Sequence, residues 1–226
     1  MWGMRITCIN VILSKNSINN HHVIIEKKRC IMAKLYYQGH GSFRITSNKG
    51  TVLYFDPYAG EGYEKIADVV LITHDHGDHN QLHLVKQKND CRVITFKEAL
   101  VNSQFNSFIV KDFSIESVDA KNKNHMENCV GFIIIVDEIK IYASGDTSFV
   151  PMMETFKDKH IDYTLLCTDG FYNMGLEEAA KCAEIINAKH NIPIHMMPGQ
   201  LFSKEKAVKY TAPNKLIIEP NEEIEL

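Results

Sequence analysis

At Ile72 the sequence changes character abruptly. Residues 68–72 (DVVLI) form a near-continuous apolar run of the kind a strand shows when both of its faces are covered, and it leads directly into Thr73-His74-Asp75-His76-Gly77-Asp78-His79. A strand that stops at a sheet edge delivers the residues after it to a fixed place on the domain surface. His74 and His76, two apart in extended chain, project to the same side. Gly77 permits a sharp turn that swings Asp78 and His79 back toward the pair. Four nitrogen and oxygen donors within six residues are too many for one tetrahedral ion, so the pattern predicts two adjacent cations. A lone histidine here would read as a solvated loop residue. HxHxDH after a buried strand is too specific for that reading.

The same placement rule finds further donors. Residues 139–143 (IKIYA) end in Ser144-Gly145-Asp146, and 192–194 (IPI) end in His195. His125 sits in the polar loop 122–126, just before an apolar run that starts at Val130. Singly, Asp146 could cap a turn and His195 could be a core histidine. Together with 74–79 these positions supply the five His and two Asp that a dinuclear site requires. Such an all-nitrogen-and-oxygen set suits zinc, and it also admits manganese or iron.

Around these positions the chain reads as many short strands with few helices. Strands are expected at 35–37, 43–45, 52–55, 68–72, 92–95, 113–118, 130–136, 139–143, 163–167, 192–194 and 216–218, with turns at Asn48-Lys49-Gly50 and Asp137-Glu138. Helices are expected at 80–88, 97–104 and, most clearly, 176–189, where Leu176, Ala179, Ala180 and Ala183 share a face. This order implies a layered α/β sandwich. With 226 residues, 45% hydrophobic and 23% charged, the chain is globular rather than disordered, collagenous or coiled-coil.

Residues 1–31 stand apart. They are Asn-rich, carry a net charge of +4 and show no sustained helical or strand period, which leaves −7 on residues 32–226. The apolar patch at 6–13 is broken by Thr7 and Asn10 and lacks a small-x-small cleavage site, so it does not read as a secretion signal. Met32-Ala33-Lys34 reads like a natural start, which makes 1–31 an upstream extension or else a packed arm. The six cysteines form no C-x-x-C pair and read as free thiols in a reducing cytoplasm. No apolar run approaches the roughly 20 residues that cross a bilayer. The acidic balance of 32–226 disfavours a nucleic-acid partner.

The HxHxDH stretch, the Gly145-Asp146-Thr147 turn and Ile194-His195 resemble the metallo-β-lactamase superfamily. The likeness is greatest to small bacterial metal-dependent hydrolases of the group that includes L-ascorbate-6-phosphate lactonase. It covers about residues 34–226 and takes in Gly39-His40-Gly41-Ser42-Phe43, Phe55-Asp56-Pro57 and residues 171–174. It implies a four-layer αβ/βα sandwich, two mixed β-sheets flanked by helices, with the site at one sheet edge. By position, His74, His76 and His125 resemble the ligands of a first metal, and Asp78, His79 and His195 those of a second, with Asp146 between them. A hydroxide bridging the two ions would attack an ester, lactone or phosphoester of a small substrate, and Asp78 would orient it while ligating. The competing readings are a nucleic-acid phosphodiesterase and an idle metal-binding domain.

Some residues depart from or lie outside that set. The family often shows Pro-x-Gly-Gly where Cys167-Thr168-Asp169-Gly170 stands, so Asp169 is expected to add negative charge to the pocket. Asp56 reads as an acceptor that fixes a ligand histidine, or as a plain turn residue. His40 reads as a pocket or supporting histidine rather than an acid. Tyr172 and Asn173 lie in a loop of the kind that contacts substrate.

Overall fold

The computed structural model describes residues 7–14, 22–29, 32–124 and 128–226. It divides the chain into two compact units, Met1–Met32 and Ala33–Leu226. In the first, β1 (Thr7–Ser14) and β2 (His22–Arg29) pair antiparallel, with Thr7 opposite Arg29 and Ser14 opposite His22. A periodicity test misses these strands because their apolar residues do not alternate cleanly. Their density of β-branched residues, Thr7, Ile9, Val11 and Ile12 against Val23, Ile24 and Ile25, is the signal that matters.

The second unit begins with β3 (Lys34–Gly39), β4 (Ser42–Thr46), β5 (Val52–Phe55), β6 (Ala67–Ile72) and β7 (Gln87–Thr95). A single helical turn, α1 (Phe96–Ala99), leads into the small hairpin β8 (Leu100–Val101) and β9 (Gln104–Phe105). Then come β10 (Ser107–Val110), β11 (Phe113–Asp119), β12 (Val130–Val136), β13 (Ile139–Ala143), β14 (Tyr163–Cys167), α2 (Leu176–Ile186), β15 (His190–Ile194), α3 (Lys204–Lys209) and β16 (Glu223–Glu225). One six-stranded sheet has the order β16-β3-β4-β5-β6-β7 and the other β10-β11-β12-β13-β14-β15. Each is mixed. Pairing is antiparallel up to β5 in the first and β13 in the second, and parallel beyond.

The two sheets face each other across one core. Leu35, Phe43, Leu53, Phe55, Val69 and Leu71 from the first pack with Ile115, Phe132, Ile134, Ile141, Leu165 and Ile192 from the second. The rings of Phe55 and Phe132 meet edge-on with centroids 6.2 Å apart. On the second sheet's outer face, Ile133, Tyr142 and Leu166 are covered by α2 and by the 3-10 segment Pro151–Lys159 through Met153, Phe156, Ala179, Ala183 and Ile186. On the first sheet's outer face, Tyr54, Val70 and Ile72 pack with Val85, Leu82 and Tyr63. Val69 and Leu71 thus point inward and Val70 and Ile72 outward, all buried, which explains the unbroken apolar run of β6. The architecture is the αβ/βα sandwich of two mixed sheets.

Three expected elements differ. The helix expected at 80–88 is reduced to the 3-10 turn Leu82–Leu84, because β7 already starts at Gln87. The helix expected at 97–104 ends after one turn, where Asn102 and Ser103 adopt φ of 51° and 61° and close the β8–β9 hairpin. The strand expected at 216–218 does not form; the nearest pairing is the bridge between Asn191 and Lys215, and the C-terminal strand is β16 against β3. Both predicted turns form. Asp137 and Glu138 have φ of 49° and 67°, the doubly left-handed pattern of a tight hairpin.

Asp68, at the start of β6, is a buried carboxylate with its partners in place. It accepts from the Val52 N–H at 2.9 Å and from Lys88 Nζ at 2.8 Å, and it also pairs with Lys111. Burial pushes its carboxyl upward, but the two lysines and the backbone donor outweigh that and hold it below the usual carboxylate range. A depressed folded-state pKa stabilises above the unfolded value of about 3.9, and the benefit is lost as pH falls further. Asp68→Asn is therefore expected to cost about 2 kcal/mol near neutrality. The gap in urea unfolding between the two proteins should narrow at pH 3; an unchanged gap would contradict the assignment.

Candidate metal centre

The C-terminal ends of β6, β13 and β15 and the β3–β4 turn deliver the candidate side chains to one place. Residues 73–79 follow β6, and the His79 N–H bonds the His76 carbonyl at 3.0 Å to close the turn. Gly77 has no positive φ there and a Cβ would meet only Gln81 Nε2 at 3.7 Å, so the turn does not depend on the glycine expected to permit it. Asp146 follows β13 through Gly145, whose φ is 59° and where a Cβ would lie 2.8 Å from the Val130 carbonyl oxygen. His195 follows β15, and its N–H bonds the His40 carbonyl at 2.8 Å. His40, Asp56 and His195 all have left-handed backbones, with φ of 56°, 41° and 44°. Non-glycine residues keep such conformations only where their surroundings over-determine them.

Imidazole and carboxylate atoms converge there. Asp146 Oδ1 lies 3.4 Å from His79 Nε2 and 3.5 Å from His195 Nε2, while Asp146 Oδ2 is 3.9 Å from His74 Nε2. Asp78 Oδ1 is 3.9 Å from His79 Nε2, and Asp78 Oδ2 is 3.8 Å from His195 Nε2 and 3.2 Å from His40 Nε2. One ligand atom from each of His74, His79 and Asp146 forms a cluster within 4.8 Å, as does one from each of His40, Asp78, His79 and His195. Two donors about 2.1 Å from a shared tetrahedral ion stand roughly 3.4 Å apart. His79 Nε2, His195 Nε2 and Asp146 Oδ1 are buried with no hydrogen-bond partner. Buried polar atoms left so are costly, and a cation between them removes the cost. The donor set fits a divalent metal.

The other ring nitrogens are held by oxygens. Asp56, fully buried, accepts from the Thr73 N–H at 2.8 Å, from the Thr73 hydroxyl at 2.6 Å and from His79 Nδ1 at 2.8 Å. Thr73 Oγ1, having donated to Asp56, is 3.0 Å from His74 Nδ1. Asp169 Oδ2 lies 3.3 Å from His195 Nδ1, an ion-pair contact without hydrogen-bond geometry. Such partners fix the tautomer and aim the opposite nitrogen.

Charge follows the geometry. Burial works to raise the Asp78 carboxyl, but the His40 ring 3.2 Å away and the nearby His79 and His195 rings hold it well below its ordinary range. Burial acts the same way on Asp146, and His79, His195 and His74 bring it down to about 2. Burial would lower His79, yet the charges of Asp146 and Asp56 raise it to about 9. For Asp56, burial wins and the carboxyl is pushed up.

Among the expected site residues, His74, Asp78, His79, Asp146 and His195 are brought together. His76 is exposed, its ring 4.7 Å from that of His74. His125 lies outside the described residues. Asp56 supports a histidine instead of merely turning the chain. Asp169 lines the neighbouring cavity as a carboxylate 1% exposed, its oxygens taken by the N–H groups of Phe171 and Tyr172 and by the Asn173 side chain, with the His195 ring 3.3 Å away. Asn173 is buried in that network, whereas the Tyr172 side chain is exposed. Sequence reasoning missed Thr73, whose only signal was its place beside His74. It also passed over the thiols of Cys129 and Cys167, which donate to the carbonyls of Asp146 and Thr147 at 3.4 and 3.3 Å and steady that turn.

The sandwich and this donor cluster at its edge define a class, and comparison supplies the family. A model of the β-lactamase superfamily domain matches residues 34–195, and the chain belongs to that superfamily. It is 27% identical over 227 residues to a UPF0173 metal-dependent hydrolase of Pyrococcus furiosus, an alignment covering 86% of this chain and all of the relative. It is 29% identical over 204 residues to another from Enterococcus faecalis, covering 77% and 91% of the two chains. The structure of Igni18, a metallo hydrolase of Ignicoccus hospitalis, superposes with a TM-score of 0.66 at 21% identity, covering 86% of this chain and 98% of that one. Among the described residues no helix is long and apolar enough to cross a membrane.

Proposed function

We propose that this chain is a metal-dependent hydrolase of small molecules, cleaving an ester, lactone or phosphoester at the edge of the sandwich. The observation that carries the reading is the convergence of His79 Nε2, His195 Nε2 and Asp146 Oδ1, buried and without hydrogen-bond partners. The names of the relatives, metal-dependent hydrolases, support it. His74, His76 and His125 would hold one divalent cation, and Asp78, His79 and His195 a second, with Asp146 shared. Zinc suits the set, with manganese or iron as alternatives. A pair of divalent cations supplies Lewis acidity and brings a water's pKa to about neutrality, so that a strong nucleophile exists at physiological pH.

The chain's own residues supply the rest. Asp78 and Asp146 stay ionised, so their oxygens are available as acceptors at any physiological pH. The Asp78 side chain is 32% exposed and stands where the centre meets solvent, placed to orient an attacking water. Asp56 and Thr73 hold the His79 and His74 rings in register from behind, and the Asp169 charge stands beside His195. A cavity of about 940 Å³ is lined by Thr168, Asp169, Phe171, Leu176, Lys181 and Met197, and none of the proposed donors lines it. The donor set decides how the bond is cut.

Purified protein loaded under metal-replete conditions is expected to hold close to two ions per chain. His76→Ala and Asp78→Ala should each lower both occupancy and hydrolysis. Metal-loaded protein screened over lactones, phosphodiesters and thioesters, with Asp78→Ala as control, identifies the bond. An empty centre by elemental analysis after loading would overturn the proposal.

A further inference from the structure

His40 stands outside the seven donors named above, yet it is built as they are. It is fully buried, and its Nδ1 lies 3.0 Å from the Gln200 carbonyl oxygen. A carbonyl only accepts, so Nδ1 carries a proton and donates it, and the lone pair of a neutral ring sits on Nε2. That is the arrangement by which His74 and His79 are held, with Thr73 and Asp56 in place of the carbonyl. Nε2 then faces Asp78 Oδ2, itself an acceptor, at 3.2 Å. Two acceptors at that distance need a cation between them or a second proton on the ring.

The surroundings are arranged for the first of these. The ligand atoms of His40, Asp78, His79 and His195 all lie within 4.8 Å of one another, and the His40 and His195 rings have centroids 3.8 Å apart. The left-handed backbone of His40 is strapped from three sides. Its N–H donates to the Leu201 carbonyl at 2.6 Å, and its carbonyl accepts from the His195 N–H and the Tyr37 hydroxyl, both at 2.8 Å. At the next residue, Gly41, a Cβ would come within 3.3 Å of His79 Cε1, so glycine lets the turn approach the cluster.

We propose that His40 Nε2 is a further protein donor to the second cation, beside Asp78, His79, His195 and the shared Asp146. This rests on the metal reading made above. With Asp146 counted, five protein donors surround this cation, so substrate meets the side of the centre that carries the exposed His76.

The test is proton NMR of the full chain loaded with cobalt(II), in which ring N–H protons of ligating histidines are displaced far outside the normal spectral range. Wild-type protein is expected to show one more displaced exchangeable proton than His40→Gln with both ions bound, and the variant should hold its second ion about 10-fold or more weakly. A measurement needing no variant is the spectrum of ¹⁵N-histidine-labelled, zinc-loaded wild type. The His40 ring, identified by its proximity to the Tyr58 ring, should carry a proton on Nδ1 only. A ring protonated on both nitrogens, or two bound ions with equal counts of displaced protons in the two cobalt proteins, overturns this inference and leaves the hydrolase reading intact. Failure of wild type to bind any metal overturns both.

Discussion

Asp146→Asn is expected to cost the centre at least one cation and to lower hydrolysis about 10³-fold or more, since metal Lewis acidity accounts for several kcal/mol of transition-state stabilisation. The substitution keeps the size and shape of the side chain and removes only its charge. That charge sits between both donor clusters, with Oδ1 3.4–3.5 Å from His79 and His195 and Oδ2 3.9 Å from His74. An amide offers one acceptor oxygen where the carboxylate offers two, and its NH₂ would point at a neighbouring ring nitrogen or at a cation. Elemental analysis after loading, with kcat measured on whichever substrate the screen identifies, checks the result. Folding is a separate matter, because the turn is held by the thiols of Cys129 and Cys167 and by Gly145, none of which needs the carboxylate. A variant that folds, retains two ions and keeps its rate would remove Asp146 from the centre.

The parts of the molecule that could be read in advance are those where burial leaves a pattern. Because β6 is covered on both faces, its apolar run and its end at Ile72 are plain in the sequence, and the placement of His74, Asp78 and His79 follows from that end. β13 and β15 work the same way for Asp146 and His195. β7 shows the opposite case. Gln87, Lys88, Asn89 and Asp90 lie exposed on an edge strand, and with no face to bury they carry no alternation that would set them apart from a helix surface. The C-terminal strand Glu223–Glu225 is similarly polar and is held in place by its backbone pairing with β3. The outward support of the rings was half visible. Asp56 was recognisable as an acceptor beside a strand end. The roles of Thr73, the Gln200 carbonyl and Asp169 depend on which segments meet in space, and local sequence does not record that.

Asp56→Asn should show that this support contributes as much as a ligand does. Both residues tolerate the left-handed backbone found at position 56, where φ is 41°, so the exchange tests the carboxylate and not the turn. In the wild type one carboxylate receives three donors: the Thr73 N–H, the Thr73 hydroxyl and His79 Nδ1. In the variant the amide oxygen can keep one or two of them, while its NH₂ confronts a remaining donor in a fully buried space. The expected cost is about 2–3 kcal/mol of unfolding free energy in the metal-free protein, from a buried donor left unmet. The His79 ring also loses the partner that fixes its tautomer, so metal affinity should fall about 10- to 100-fold. Asp169→Asn, by contrast, disturbs a looser contact of 3.3 Å on His195 and leaves that carbonyl-like oxygen free to receive the backbone donors of residues 171 and 172, so its effect on metal affinity should be smaller. Chelator competition on the three proteins, with urea unfolding of their metal-free forms, gives both quantities. If Asp56→Asn binds metal as tightly as the wild type, the ring is aimed by packing alone and the carboxylate behind it is only part of the fold.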